Sequence, residues 1–208
     1  ADVEFDVEDT ANAIALEVSD SGYAVGGFGG GLNEAADVEA VGGDVTVDAA
    51  SSIQQLNVYD ASGSSYEITD DVDAVIRAGT SVIEDGGVTR VEVTDDANAT
   101  EGVSLNAYNA NVDFNVSDNV SGYSAVLNTT ALHTSIPHSL IKHGSRPFDT
   151  VQTNLDDANS VIVTSGIATV SEASDIQDIA KYSGADSNYA IRDTAANLIS
   201  ANDHVLDV

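Results

Sequence analysis

The chain has 208 residues, carries 6 Lys and Arg against 35 Asp and Glu for a formal charge of −29, and contains no Cys, Met or Trp. This charge argues against nucleic-acid binding, because affinity for phosphate is built from Lys and Arg, and the lack of Cys excludes disulfides, Cys-ligated zinc and Cys nucleophiles. A hydrophobic fraction of 42% predicts a folded core, and no apolar run is long enough for membrane insertion.

Short segments that alternate apolar and polar residues predict strands. In chain order they lie at 5–9, 45–47, 66–69, 91–95, 114–118, 168–170 and 189–192. Four consecutive starts, at residues 45, 66, 91 and 114, are 21, 25 and 23 residues apart. Such spacing indicates repeated units of strand, turn and short helix.

Predicted helices follow several of these strands. Asp48 and Ser171 are predicted to cap one pair of helices, and Asp70 and Asp193 a second pair. The second pair is predicted to stop at the equivalent residues Gly79 and Asn202, which both tolerate the left-handed conformation.

An internal repeat relates residues 47–76 to residues 170–199 at an offset of 123 residues, with 11 identities in 30 ungapped pairs. Chance gives about two or three identities for this composition, so the repeat is significant. It predicts an α/β repeat protein, a solenoid-like stack of short parallel strands and short helices. The alternative is an all-β sandwich or a mixed, β-rich α+β fold.

The segment 189–198, Tyr-Ala-Ile-Arg-Asp-Thr-Ala-Ala-Asn-Leu, resembles a repeat module of large bacterial surface and secreted proteins, such as RTX-like or haemolysin-type adhesins and S-layer-like polypeptides. The resemblance is close over 170–199 and fair over 47–76. It implies an extracellular or cell-surface structural or adhesive module, often with calcium nearby. The chain lacks the Gly-Gly-x-Gly-x-Asp nonapeptide, so the calcium roll of those proteins does not carry over.

Strand-ending and neighbouring aspartates are the candidate calcium ligands. If the units stack in register, these carboxylates form a ladder, and their repulsion must be offset by helix N-termini or by a hard cation. The candidate residues are Asp9, Asp70, Asp73, Asp95, Asp118 and Asp193. The alternative is that each strand-ending Asp only caps its own helix.

Residues 131–150 form a basic insertion or boundary, with both prolines, three of the four histidines and a formal charge of +1. His138, Lys142, His143 and Arg146 are the candidate interface residues, which would dock on the acidic face of a neighbouring subunit or domain. Zinc binding by the histidines and an ordinary surface loop are the alternatives. The predicted organisation is a repeat-built domain over 1–130, this segment, and a second repeat copy over 151–208.

No nucleophile motif or paired acid and base stands out, so the predicted function is non-catalytic: a structural or assembly module of a surface layer, filament or larger surface protein, with self-association or neighbouring domains as partners. One alternative is a calcium-dependent adhesin domain that binds glycan beside an exposed aromatic residue, Tyr108 or Tyr123. A second is an acidic domain adapted to high salt, as only Lys142 and Lys181 are lysines.

Overall fold

The computed structural model describes residues 5–20, 31–131 and 155–206. The strands are β1 (Asp6–Asp9), β2 (Asp37–Val45), β3 (Ser65–Asp70), β4 (Val88–Val93), β5 (Val112–Asp113), β6 (Asn115–Asp118), β7 (Ser160–Val163), β8 (Ile167–Ala168) and β9 (Ala190–Ile191). The helices are α1 (Ala11–Asp20), α2 (Val47–Gln54), α3 (Val72–Ala78), α4 (Thr80–Ile83), α5 (Ala99–Leu105), α6 (Val120–Ala131), α7 (Val170–Gln177), α8 (Ala195–Ser200) and α9 (Asp203–Leu206). A 3₁₀ turn, Gly31–Glu34, precedes β2.

All paired strands in these ranges run parallel. Five of them form one sheet in the order β1-β2-β3-β4-β5, while β6 pairs with β7 and β8 with β9. Because parallel neighbours need a crossover, at least one helix lies between the two strands of every pair in these ranges. The predicted α/β class is therefore confirmed, and the antiparallel sandwich is not the architecture of these residues.

The chain divides into two compact units. Unit 1 comprises Ala1–Asp95 and Tyr108–Asp113 and contains the five-stranded sheet with α1 to α4. One face of the sheet supplies the core, with fully or almost fully buried residues at alternate positions, as Tyr66 and Ile68 of β3 show. Helix α2 adds the apolar stripe of Val47, Ala50 and Ile53 to this core.

Unit 2 comprises Asp96–Ala107 and Phe114–Val208 and contains the strand pairs β6-β7 and β8-β9. Its core includes Phe114 and Tyr123, exposed by only 1% and 0%. Helix α5 lies close to β6 because Gly102 has no side chain: a Cβ there would be 2.8 Å from a methyl of Val116 and 2.8 Å from a methyl of Leu155.

The 123-residue repeat is visible in three dimensions. Helices α2 and α7 occupy equivalent residues and are both preceded by a threonine cap. In the first copy the Gln54 amide donates to the Tyr66 hydroxyl at 2.8 Å and to the Val82 carbonyl at 3.2 Å. The second copy repeats both bonds, from Gln177 to Tyr189 at 3.1 Å and to the Val205 carbonyl at 3.2 Å.

The predicted caps are wrong. Thr46 and Thr169, rather than Asp48 and Ser171, are the N-cap residues of α2 and α7. The reason is that the first residue of each helix, Val47 or Val170, is apolar, so the alternation that predicts a strand continues past the true strand end. Likewise Asp71 and Thr194 cap α3 and α8, in place of the predicted Asp70 and Asp193.

The predicted end of α3 is confirmed, because Gly79 follows its last residue with a φ of +72°. The equivalent helix α8 is shorter than predicted and ends at Ser200, with Ala201 in an extended conformation. No helix in the described ranges has the length and apolar character needed to cross a bilayer.

Candidate functional site

Four aspartates, each at the last residue of a strand or two residues beyond it, accept a hydrogen bond from the first backbone N–H of a helix that precedes that strand in the chain. We call this contact an aspartate clip. The clips are Val47 N to Asp70 Oδ2 at 2.9 Å, Val72 N to Asp95 Oδ1 at 2.8 Å, Ala99 N to Asp118 Oδ2 at 3.0 Å and Val170 N to Asp193 Oδ2 at 3.1 Å. Each clip joins two successive strand–helix units within one compact unit.

Three of these carboxylates use their second oxygen as well. In each of them Oδ1 accepts a hydrogen bond from the backbone N–H of the next residue. The N–Oδ1 distances are 2.9 Å for Asp70, 2.7 Å for Asp118 and 2.7 Å for Asp193. The first N–H groups of a helix have no intrahelical acceptor and carry the positive end of the helix dipole, so an anion is stabilised there. One carboxylate thereby serves the start of two successive helices.

The clip at Asp193 is strengthened by a side chain. Besides the backbone N–H groups of Thr194 and Val170, its carboxylate accepts from the Asn197 amide at 2.8 Å. These three hydrogen bonds lower the pKa of Asp193, because each favours the ionised form, and they outweigh the cost of desolvation.

Asp70 and Asp193 are therefore not the N-caps of the helices that follow them: each accepts from the first N–H of the preceding helix and from the N–H of the residue that does cap the next one. Asp9 accepts from the Thr10 N–H at 2.7 Å, and Asp73 lies exposed in the first turn of α3. Within the described residues, no three of Asp9, Asp70, Asp73, Asp95, Asp118 and Asp193 bring carboxylate oxygens within 4.8 Å of one another. Calcium at these six residues stays a prediction.

A different trio of acids does converge. Carboxylate oxygens of Asp37, Glu39 and Asp60 lie within 4.8 Å of one another in unit 1. Asp37 and Glu39 point to the same side of β2, and Asp60 is brought beside them because its neighbour Tyr59 forms a parallel bridge with Val38. We call this trio the acidic cluster.

The pKa values of the cluster diverge. Desolvation raises the pKa of Glu39, and the charges of Asp37 and Asp60 add to the rise. The pKa of Asp60 is lowered instead, because its Oδ1 accepts from the Ser62 hydroxyl at 2.7 Å and from the Ser62 N–H at 2.9 Å. Three carboxylates on one small surface are the ligand type that hard cations such as Ca²⁺ prefer.

Arg90 pairs with three carboxylates of the five-stranded sheet. The Arg90 guanidinium bonds Asp113 at 2.5 Å, Glu92 at 3.0 Å and Glu67 at 3.2 Å, which lie on β5, β4 and β3. These bonds, Asp113 first, raise the pKa of Arg90. Arg90 therefore offsets the repulsion between acids on three adjacent strands.

The aromatic residues proposed for glycan binding are placed differently from the prediction. Tyr123 is fully buried, so its predicted exposure is wrong. Tyr108 is half-buried and donates its hydroxyl hydrogen to the carbonyl oxygens of Val75 at 3.1 Å and Ile76 at 3.2 Å. A groove of about 430 Å³ between α2 and α3 is lined by acids and Arg77, but no aromatic side chain lines it.

The predicted interface residues His138, Lys142, His143 and Arg146 lie outside the described residues.

Comparison of the chain with protein-family models, curated proteins and solved structures gave no match.

Neither the clips nor the acidic cluster was found from the sequence. Each clip joins residues 19 to 23 positions apart, and the cluster joins two strand residues to one in a loop. The recurrence of Asp at strand ends was the signal for the clips. For the cluster, the alternation of Asp37 and Glu39 was the only sequence signal, and it did not identify Asp60.

Proposed function

We propose that this chain is a non-catalytic structural module of a cell-surface or secreted assembly, in which strand–helix units stack like the turns of a solenoid. The observation that carries the proposal is the aspartate clip, which recurs with the same donor and acceptor positions in both compact units. A contact that recurs at four crossovers serves cohesion between successive strand–helix units, as in repeat proteins whose stability is a sum of neighbour interfaces. At α6 the first helical N–H donates instead to the Ser165 carbonyl at 3.0 Å.

Two further features support the proposal. The sequential strand order β1 to β5, all parallel, is the order that stacked strand–helix units produce. The resemblance of residues 189–198 to repeats of bacterial surface proteins favours an extracellular location and a role in a surface layer, a filament or a larger surface polypeptide.

The acidic cluster favours a second candidate, in which calcium adds to cohesion or supports adhesion to glycan. Asp37 and Glu39 belong to β2, and Asp60 belongs to the loop that leads to β3, so a bound Ca²⁺ would link two successive units. Desolvation first, and then the charges of Asp37 and Asp60, raise the pKa of Glu39, and a divalent cation would relieve the repulsion that contributes to this rise. We propose this calcium role as an addition to the structural function.

Negative-stain imaging and calorimetry of the 208-residue chain, with calcium and with chelator at constant ionic strength, test both ideas. Ordered arrays or filaments support the structural function, and monodisperse single chains in every buffer would contradict it. A rise in melting temperature that calcium produces and sodium does not supports the calcium role.

A matched variant assigns any calcium effect. The double substitution Asp37→Asn and Glu39→Gln removes two carboxylates of the acidic cluster and keeps their shapes, and we expect it to abolish the calcium-specific stabilisation. The substitution Asp73→Asn is the control, because it removes an exposed carboxylate outside the cluster. Equal stabilisation by any salt would refute the calcium role and favour adaptation to high salt.

A further inference from the structure

Strand β3 and helix α3 are covered by the strand–helix unit that follows them in the chain. Ile68 on β3 and Val75 on α3 are 0% exposed. Strand β4 pairs along β3, and the Tyr108 hydroxyl binds carbonyl oxygens at the end of α3. This is the face that each strand–helix unit presents to the next.

The equivalent face around β9 and α8 is uncovered in the part of the chain that the structure describes. The residues 123 positions later are Ile191 and Leu198, which are only half-buried, and the next apolar residue, Ile199, is 85% exposed. Strand β9 pairs only with β8 in the described part of the chain, so its other edge carries unpaired backbone groups. Leu206 of α9 adds a 41% exposed side chain nearby in sequence.

In the described ranges, the first strand–helix unit leaves the complementary half of this contact exposed. Strand β1 pairs only with β2 within the described ranges. Phe5 lies four residues before Asp9, as Tyr66 lies four residues before Asp70, so the two aromatic residues are equivalent. Phe5 is nevertheless 41% exposed, whereas Tyr66 is only 1% exposed. Leu16 of α1 is 61% exposed. The two ends therefore expose the two halves of the contact that the interior units make with each other.

We propose that a second copy of this chain fills the open end, with its β1 paired in parallel to β9, so that copies associate head to tail. This inference rests on the proposed assembly function and names the surfaces that carry it. Because the two surfaces differ, the contact is heterologous and leaves a free β1 and a free β9 at the ends of every oligomer. Growth is then open-ended unless the rotation closes a ring.

The register of the existing pairs predicts which residues meet. Within the chain, Asp44 lies three residues before the start of α2 and pairs with Glu67, which lies three residues before the clip aspartate Asp70. The same three-residue offsets define the pairing at each clip. Applied to the two ends, this rule places Arg192 opposite Asp6 of the next copy. It also brings the Asp9 carboxylate to the Ala195 N–H, in the arrangement of an aspartate clip.

The charges at the contact favour this pairing, whereas the net charge of the two chains opposes it. Arg192 is exposed on the open edge, whereas β1 presents Asp6 and Glu8 on the corresponding face. Two chains of charge −29 nevertheless repel each other. Since the Debye length falls from about 10 Å at 0.1 M to about 3 Å at 1 M salt, we expect association to strengthen with ionic strength.

Sedimentation velocity in about 1 M NaCl, where repulsion is screened, tests the surfaces with single substitutions of exposed residues. We expect a concentration-dependent series of oligomers for the unsubstituted chain, and association weakened by about tenfold or more in Ile199→Gln. Ile167→Gln is the matched control, because Ile167 is 60% exposed but lies on β8, one strand away from the open edge. Its association should be unchanged.

A third variant probes the backbone contact. Ala195→Pro deletes one N–H at the first residue of α8, where proline is tolerated, and Thr194 already has the extended conformation that precedes proline, with ψ at 152°. Its circular dichroism should match that of the unsubstituted chain while its association weakens.

Charge reversal separates this contact from any other. Arg192→Asp and Asp6→Arg should each weaken association at moderate salt, and mixing the two variants should restore it, because the reversed charges then face each other. Oligomers that persist unchanged in Ile199→Gln and Ala195→Pro would overturn the β1–β9 contact and leave the assembly function standing. A chain that stays monomeric at every concentration and ionic strength would overturn both.

Discussion

The clip between Asp70 and Val47 provides the sharpest test of the stacking contact. Asp70→Ala removes the acceptor of two backbone N–H groups, those of Val47 and Asp71. The exposed N–H of Asp71 regains a water partner, so its loss costs little. Val47 is only 7% exposed, and losing a charge-assisted bond to its partly buried N–H costs about 1.5–3 kcal/mol.

We therefore expect Asp70→Ala to lower the free energy of unfolding by about 2 kcal/mol, and Asp70→Asn by about half of that, because its amide oxygen still accepts one neutral bond. In urea denaturation this corresponds to a midpoint shift of about 1 M for a slope of about 2 kcal/mol/M. Hydrogen exchange of peptides covering 47–54 shows whether the loss is located at α2.

The control is Asp73→Ala, an exposed carboxylate in the same region, for which we expect a change within about 0.5 kcal/mol. Val47→Pro removes the same N–H from the other side, and Thr46, with ψ at 163°, accommodates a following proline. If the clip is real, the costs of Asp70→Ala and Val47→Pro are not additive. Additive costs, or an Asp70→Ala cost no larger than that of Asp73→Ala, would refute the reasoning.

Three further predictions concern other contacts. Gly122→Ala, which normally stabilises a helix by about 1 kcal/mol, should destabilise this protein because the added Cβ would overlap the Asp118 carboxylate; calorimetry of the Asp118→Ala background should show that the penalty has disappeared. Arg90→Met should lower the denaturation midpoint because acids on three strands lose their common partner, and the loss should shrink at about 1 M salt, where repulsion is screened; a salt-independent loss would contradict this. Asp193→Asn should change the pH dependence of stability. The pKa of Asp193 in the folded protein is below its unfolded value of 3.8, so its ionised carboxylate stabilises the fold above that pH. This contribution is lost as the pH falls through the folded pKa. The melting temperatures of the two proteins should therefore differ at pH 7 and converge below about pH 3.8; a constant difference would contradict the prediction.

Prediction from the sequence succeeded where the signal was local. The alternation around Ile68 and the turn at Gly79 depend on neighbouring residues, and the structure bears out the strand and the helix end. It failed at the caps, since Val47 and Val170 are apolar residues at the start of helices and continue the pattern of the strand before them. Periodicity alone does not distinguish these two positions.

The sequence by itself determined the acidity and the 123-residue repeat, because composition and identity are properties of the chain in order, and it favoured the α/β class that the structure has. It did not locate β7 or most of β2, since the predicted strand at 45–47 shares only Val45 with β2. Tertiary structure alone decided which carboxylates meet which partners. Asp70 reaches Val47, Arg90 reaches Asp113 and Asp60 reaches Glu39 only through the register between neighbouring strands. That register is set by packing of the buried face, since a slip of one residue would move every core side chain to the solvent.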